Sequence, residues 1–341
     1  MIKKLFTLSL VGALVLSCTQ QPSKVPETKK VVVSEADQQL ITKASAVFAQ
    51  LPKGGDPESK IAQLGKKLYH ESSISMNGKL SCNSCHNIST YGVDNLPTSP
   101  GHEGKLGGRN SPTTFNANIH IAQFWDGRAA DLEAQAKGPV LNPIEMGMHS
   151  AADVEAKLQA IADYKPLFAE VFPEEAQPIT FDNFAKAVAA YEKTLVTPAP
   201  FDTFLAGNAD AITADQKKGL NLFIETGCIA CHTGAGLGGN NFQKFGLVKG
   251  PYWEFTHSTS KDLGKGSLTG NETDNYIFKT PSLRNIQKTA PYFHDGSVNN
   301  LDEAVKLMAY LQLGKELNQE EVGKIVTFLQ CLTGEIPAHA L

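Results

Sequence analysis

Two pentapeptides constrain this chain more than any other part of its 341 residues: CNSCH, Cys82 to His86, and CIACH, Cys228 to His232. Each reads C-x-x-C-H, the attachment signature of c-type haem. The spacing has a mechanism. Two thiols add to the two vinyl groups of one haem, and the adjacent imidazole is held beneath the iron as proximal ligand. A zinc site also uses paired cysteines but needs no histidine directly after each pair. A thioredoxin-like motif lacks that histidine too and belongs in a βαβ context. Cys82, Cys85 and His86 are therefore expected to hold one haem, and Cys228, Cys231 and His232 a second. The surroundings repeat as well, with GKKLYHE from Gly65 upstream of the first motif and GLNLFIE from Gly219 upstream of the second. The chain reads as two cytochrome c units in tandem.

The rest of the composition agrees. Six cysteines are about 2% of the chain, far from the roughly 8–10% of a disulfide scaffold. Hydrophobic residues at 41% exclude a disordered chain. Net charge is −4, and removing Lys3 and Lys4 leaves 29 basic against 35 acidic residues, or −6. With no basic excess to neutralise a phosphate backbone, nucleic acid is excluded as a partner.

Covalent haem attachment in bacteria takes place outside the cytoplasm, and the N-terminus points the same way. Lys3 and Lys4 precede an apolar run from Leu5 to Leu16, shorter than the roughly 20 residues of a membrane span. Residues 1–17 are expected to be a signal peptide. Val15-Leu16-Ser17-Cys18 resembles a bacterial lipobox, so Cys18 is expected to become a lipidated first residue, anchoring a periplasmic protein to a membrane. Ordinary cleavage after Ser17 is the other reading. Residues 18–33, polar and Pro-containing, then form a tether.

Helix signals dominate the chain beyond this tether. Asp56 and Pro57 read as N-cap and first-turn residue of a helix with Ile61, Leu64 and Leu68 on one face. Ser150 starts a helix bearing Val154, Leu158 and Ile161, and Thr180 one bearing Phe184, Val188, Tyr191 and Leu195. TPAP, Thr197 to Pro200, interrupts any helix. It divides the chain into an N-terminal haem domain, 34–197, and a C-terminal one, 198–341, whose last helix is a candidate to pack back on the first. Thr213 with Gln216, Asn300 with Glu303 and Asn318 with Glu321 cap three more helices. Cys331 falls in the last of these as a buried, inert thiol. Long loops over 87–120 and 233–280 are expected to wrap the haems.

The sixth ligand of each iron decides between an electron carrier and an enzyme, because an open or displaceable position can bind a small oxidant. For the C-terminal haem the candidates are His257, His294, Met308 and His339. Met308, on a capped helix, is favoured, and a His/Met pair raises the iron's potential. For the N-terminal haem His102, His120, Met146, Met148 and His149 all qualify, and the residues alone leave the choice open.

These residues sit in a wider pattern that closely resembles the bacterial dihaem cytochrome c peroxidases over residues 56–335. Besides the two haem motifs it includes Gly101-His102, GRNSPT from Gly108, AQFWDGR from Ala122, LEAQA from Leu132 and PIEM from Pro143. In the second half it includes PSLRN from Pro281, TAPYFHDG from Thr289 and EAVKLM ending at Met308. The resemblance implies a mainly α fold of two tandem cytochrome c-like domains, each around one haem with long wrapping loops. It implies that His86 and His102 ligate the low-potential, peroxidatic haem in the resting state, and that His232 and Met308 ligate the high-potential one. Trp125 would lie between the haems on the electron route, and Gln135 and Glu145 would belong to the peroxide pocket. Asn110, Thr289 and Pro291 match positions that hold a calcium ion. The implied reaction reduces hydrogen peroxide to water with electrons from a monohaem cytochrome c or blue-copper protein, after reductive release of His102, in a homodimer. Some relatives oxidise tryptophans of a partner protein and carry tyrosine where Met308 stands, so methionine favours peroxidase. The rival from another class is a dihaem electron carrier in which Met146 or Met148 ligates the first haem permanently.

Overall fold

The computed structural model describes residues 1–2 and 33–341, and Ser34–Leu341 form one unit. The expected signal peptide, Cys18 and nearly all of the tether lie outside the described residues. Among those described, no helix is long and apolar enough to cross a membrane.

The N-terminal half contains α1 (Glu35–Ser45), α2 (Lys60–Tyr69), the single turn α3 (Cys82–Cys85), α4 (Leu132–Leu141), α5 (Ala151–Ala160), α6 (Tyr164–Val171) and α7 (Phe181–Glu192). The C-terminal half contains α8 (Pro200–Leu205), α9 (Ala214–Thr226), β1 (Phe242–Lys244), α10 (Lys265–Thr269), β2 (Ile277–Lys279), α11 (Leu301–Leu313) and α12 (Gln319–Gln330). The fold is mainly helical, as expected. The antiparallel pairing of β1 with β2, Phe242 opposite Lys279, was not.

Most helix starts follow the capping residues. Ser150, Thr180, Thr213 and Asn318 each accept a backbone N–H three residues on, a device that contributes about 1 kcal/mol per helix. Asn300 caps α11, but the Glu303 carboxylate turns away to His257 Nε2 at 3.1 Å. The start expected at Asp56 lies later. Asp56 Oδ1 accepts the Glu58 N–H at 3.0 Å and its carbonyl the Ser59 hydroxyl at 2.7 Å, closing a local turn. Ser59 then becomes the N-cap of α2.

Two helix pairs carry the architecture: α2 crosses α7, and α9 crosses α12. At each crossing stands the glycine of the repeat. A Cβ on Gly65 would collide with the Ala187 carbonyl, and one on Gly219 with the Lys324 carbonyl. Four residues on, Tyr69 and Phe223 are buried, each facing the C-x-x-C-H segment next in the chain.

The last helix thus packs within its own half. What returns to the N-terminal half is the tail beyond it: Ile336 and Ala340 join the core built on Leu68, Phe115, Val154 and Phe184. Lys66 Nζ holds the His339 carbonyl at 2.6 Å. Residues 197–200 do interrupt the helices, yet Thr197 is fully buried. Its Oγ1 accepts from Asn116 at 2.8 Å and from Asn285 at 2.9 Å, one residue from each half. Cys331, the C-cap of α12, is buried as expected, and burial pushes its thiol up to about 12.

Gly65→Ala and Gly219→Ala are each expected to lower unfolding free energy by about 1–3 kcal/mol, the cost of overpacking. Denaturant titration of the haem-loaded protein measures this. Two changes within about 0.5 kcal/mol, the range of surface substitutions, would mean that the crossings relax freely.

Candidate active site

In the C-terminal half, α9 ends at Gly227, whose φ of 97° makes the left-handed turn that starts the haem motif. Cys228, Cys231 and His232 then face one cavity together with Met308 from α11. His232 Nδ1 lies 2.8 Å from the Leu237 carbonyl, which places its proton there and leaves the Nε2 lone pair for a metal. Burial lowers the His232 pKa, which favours the same neutral ring. The competing candidates lie elsewhere or are engaged. His257 is exposed beside Glu303, and His339 Nε2 is 3.1 Å from Thr194 Oγ1. His294 reaches the cavity wall but stacks on Phe278 at 4.2 Å, with Nε2 3.3 Å from the Tyr252 hydroxyl.

Trp125 lines the same cavity, its indole N–H donating to the Asn110 carbonyl at 2.9 Å. Asn110, Thr289 and Pro291 also line it, so the fold brings residue 110 together with a pair, 289 and 291, from the far half of the chain. The Asn110 amide donates to the Leu96 carbonyl at 2.9 Å.

In the N-terminal half, Ser81 and Ser84 cap α3 reciprocally. His86 follows as its C-cap, and its carbonyl accepts the Tyr69 hydroxyl at 2.6 Å. Burial lowers the His86 pKa. His102 sits in a short turn whose next residue, Glu103, has φ of 59°. Its N–H donates to the Ile144 carbonyl at 2.9 Å and the Glu145 carbonyl at 2.7 Å, so the His102 loop rests directly on the segment that carries Glu145. Gly147, against the His102 ring, leaves room for it. Nδ1 of both His86 and His102 is buried without a partner among the described residues.

Glu145 follows α4, and Asn142 Nδ2 donates to its Oε1 at 3.0 Å. Burial raises its pKa, and the Arg128 charge and the Asn142 bond only partly offset this. Burial also pushes up the Cys85 thiol; the Ser99 hydroxyl counters it, and the charges of Asp94 and Glu145 add to it. Glu145 is thus an electrostatic neighbour of the first haem motif. Gln135 is half-buried on α4, one element before Glu145. Met146 and Met148 are buried in the core with Val140 and Leu158, and His149 is exposed.

Other groups at the site have pairings that the sequence did not signal. Arg109 bridges Asp262, through Nε at 2.6 Å and Nη2 at 2.9 Å, and Asp126, through Nη1 at 2.6 Å. Burial alone would raise both carboxyls, but the guanidinium holds them below their ordinary values. His120, an early ligand candidate, instead places Nδ1 3.1 Å from Lys279 Nζ on the wall of the C-terminal cavity. Arg109 and Asp262 are 153 residues apart, His120 and Lys279 159, and only the folded chain reveals such pairs.

The donor set suits covalently bound haem. Four free thiols stand in two pairs, each beside a buried imidazole, and one pair opens on a cavity walled by aromatic and aliphatic side chains with a thioether across it. Similarity to known proteins agrees. The family model described as di-haem cytochrome c peroxidase matches residues 59–210. Cytochrome c551 peroxidase of Pseudomonas aeruginosa is 47% identical over 87% of this chain and 87% of its own length. That of Nitrosomonas europaea is 44% identical over 86% and 85%. Among solved structures, a MauG-like protein associated with microbial copper homeostasis is 28% identical, with a TM-score of 0.73 over 83% of this chain and 93% of that one. A mainly α chain with two cytochrome c-like haem units, it belongs to the di-haem cytochrome c peroxidase family and is an enzyme of that class.

Proposed function

We propose that this enzyme reduces hydrogen peroxide to water with electrons from a small periplasmic redox protein, a monohaem cytochrome c or a blue-copper protein, and that Glu145 and a displaceable His102 define its peroxide site. The observation that carries this reading is the pair of hydrogen bonds from the His102 N–H to the Ile144 and Glu145 carbonyls. They make the candidate ligand and the candidate acid/base residue parts of one loop contact.

One haem would be held by Cys82, Cys85 and His86, with His102 as resting-state partner, and the other by Cys228, Cys231, His232 and Met308. Bound there, the two haems supply electron storage and peroxide-cleaving redox chemistry. The chain's own groups do the rest. When an electron enters the C-terminal half, His102 leaves with its loop, for which Gly101, Gly104, Gly107 and Gly108 provide backbone freedom. Glu145 takes a proton from one oxygen of hydrogen peroxide and returns it to the other, so that one water departs; with two protons from solvent and the two electrons that bound haems would supply, the second oxygen also leaves as water. Gln135 orients the peroxide. Trp125, anchored through Asn110, lies on the route from the C-terminal half. Burial of Met146 and Met148 in the hydrophobic core supports His102 over a permanently ligated electron carrier. Methionine at 308 favours peroxide reduction over oxidation of a partner protein.

Within this proposal, residues 34–197 form the peroxidatic domain and 198–341 the electron-entry domain. A calcium ion bound by Asn110, Thr289 and Pro291 holds them in register; carbonyl and amide oxygens suit a hard cation. The protein works as a homodimer in the periplasm, exported by residues 1–17 and anchored through lipid on Cys18.

Glu145→Gln is expected to keep both haems and their visible spectra while peroxide turnover falls roughly 10²- to 10⁴-fold, the usual worth of a general acid/base. Unchanged turnover would remove Glu145 from that role. His102→Gly is expected to bind peroxide in the fully oxidised protein; a continued need for prior reduction would refute ligand release. Calcium removal by a chelator is expected to abolish the high-spin signal of the ascorbate half-reduced protein, and calcium to restore it. An unaffected signal would leave the ion no part in activation.

A further inference from the structure

The C-terminal cavity has one feature that peroxide reduction does not use. Of the described residues lining it, Lys279 is the sole one with a formal charge, and it is only 6% exposed. Its peptide N–H donates to the Trp125 carbonyl at 2.8 Å, which fixes the β2 backbone beside the tryptophan. Its Nζ meets His120 Nδ1 at 3.1 Å and has no other hydrogen-bond partner among the described residues. Burying an ammonium without a counter-charge is costly enough that such groups are normally paired or neutralised. With no acidic neighbour to oppose it, burial pushes the amine down to about 8.

The geometry of the pair specifies what is missing. An ammonium can only donate, so His120 Nδ1 must accept, and the proton of the neutral imidazole then lies on Nε2. Burial, reinforced by the Lys279 charge, keeps that ring neutral. Nε2 is itself buried without a partner among the described residues. The ammonium thus presents two unused N–H donors on the cavity wall, while the imidazole's own N–H lies on the opposite edge of its ring. Gly239 is left bare against the ring, since a Cβ there would meet the imidazole edge. A carboxylate, acceptor-only with two oxygens, satisfies the two ammonium donors and the charge.

We propose that Lys279, oriented by His120, binds a propionate carboxylate of the C-terminal haem and is the buried counter-cation that holds this haem's reduction potential up. The proposal rests on the assignment of that haem to Cys228, Cys231, His232 and Met308. A cation beside a redox centre favours the form with the extra electron, and in a cavity with no other formal charge its effect is weakly screened.

The test is a spectroelectrochemical titration of the holoprotein at neutral pH, with haem content and the ferric visible spectrum recorded for every variant. Intact haem and an unaltered ligation spectrum separate this question from that of the His232/Met308 pair. Lys279→Gln is expected to shift the one-electron equilibrium of the C-terminal haem about tenfold toward the oxidised form, about 59 mV. Lys279→Arg, which keeps the charge, is expected to stay within threefold of the wild type. Replacing chloride in the buffer with a weakly coordinating anion is expected to change nothing. A shift below twofold in Lys279→Gln with both haems present would overturn the proposal. So would an equal shift in the arginine variant, which would make the effect one of packing, or a chloride-dependent potential in the wild type, which would assign the donors to a free halide. Should Lys279→Gln lose its second haem, the arginine variant decides alone: haem retained at a near-wild-type potential supports the propionate site, and haem loss or a tenfold shift refutes it.

Discussion

The close approach of helix backbones at Gly65 and Gly219 is the constraint on which the remainder of the structure depends. Because α2 lies directly on α7 and α9 on α12, the residues one turn further along, Tyr69 and Phe223, are driven into the core beside the haem motifs. In the N-terminal half the consequence can be followed atom by atom: the buried Tyr69 hydroxyl donates to the His86 carbonyl and sets where that histidine sits. In the C-terminal half α9 runs straight into Gly227 and Cys228, so the crossing orients the motif without an intermediary. Two small residues therefore position two large cofactors, and the chemistry inherits its geometry from packing.

Much of this was legible beforehand because its signals are local. Capping residues at 150, 180, 213 and 318 speak for their own helices, and C-x-x-C-H carries its meaning in five consecutive residues. The failures were also local in kind. Asp56 and Pro57 look like a helix start, but the aspartate spends its hydrogen bonds on a turn that ends before Lys60. The β1/β2 pair was invisible because each strand has three residues and a long loop separates the two. Nor, apart from the family resemblance, could the residues distinguish His102 from His120. Both are loop histidines near the first motif, and only the fold shows that one rests on the Glu145 segment while the other is taken by Lys279.

The two halves treat charge differently. Around the N-terminal motif the polar groups are numerous: Asp94, Glu145 and Arg128 all act on one another or on Cys85. The C-terminal cavity is walled by aromatic and aliphatic side chains with a single ammonium, an environment suited to storing an electron and poor at moving protons. Arg109, forked between Asp126 and Asp262, ties the loop following His102 to the opposite half.

The tail has a consequence for how the molecule is made. Ile336 and Ala340 belong to the core that surrounds the first haem motif, whose cysteines lie far upstream at 82 and 85. That core is completed only once residues 336 to 340 have been made. The C-terminal half's own helix pair, α9 with α12, needs nothing beyond Gln330. The half that emerges first is therefore sealed no earlier than its partner, by a strap made of residues that follow α12.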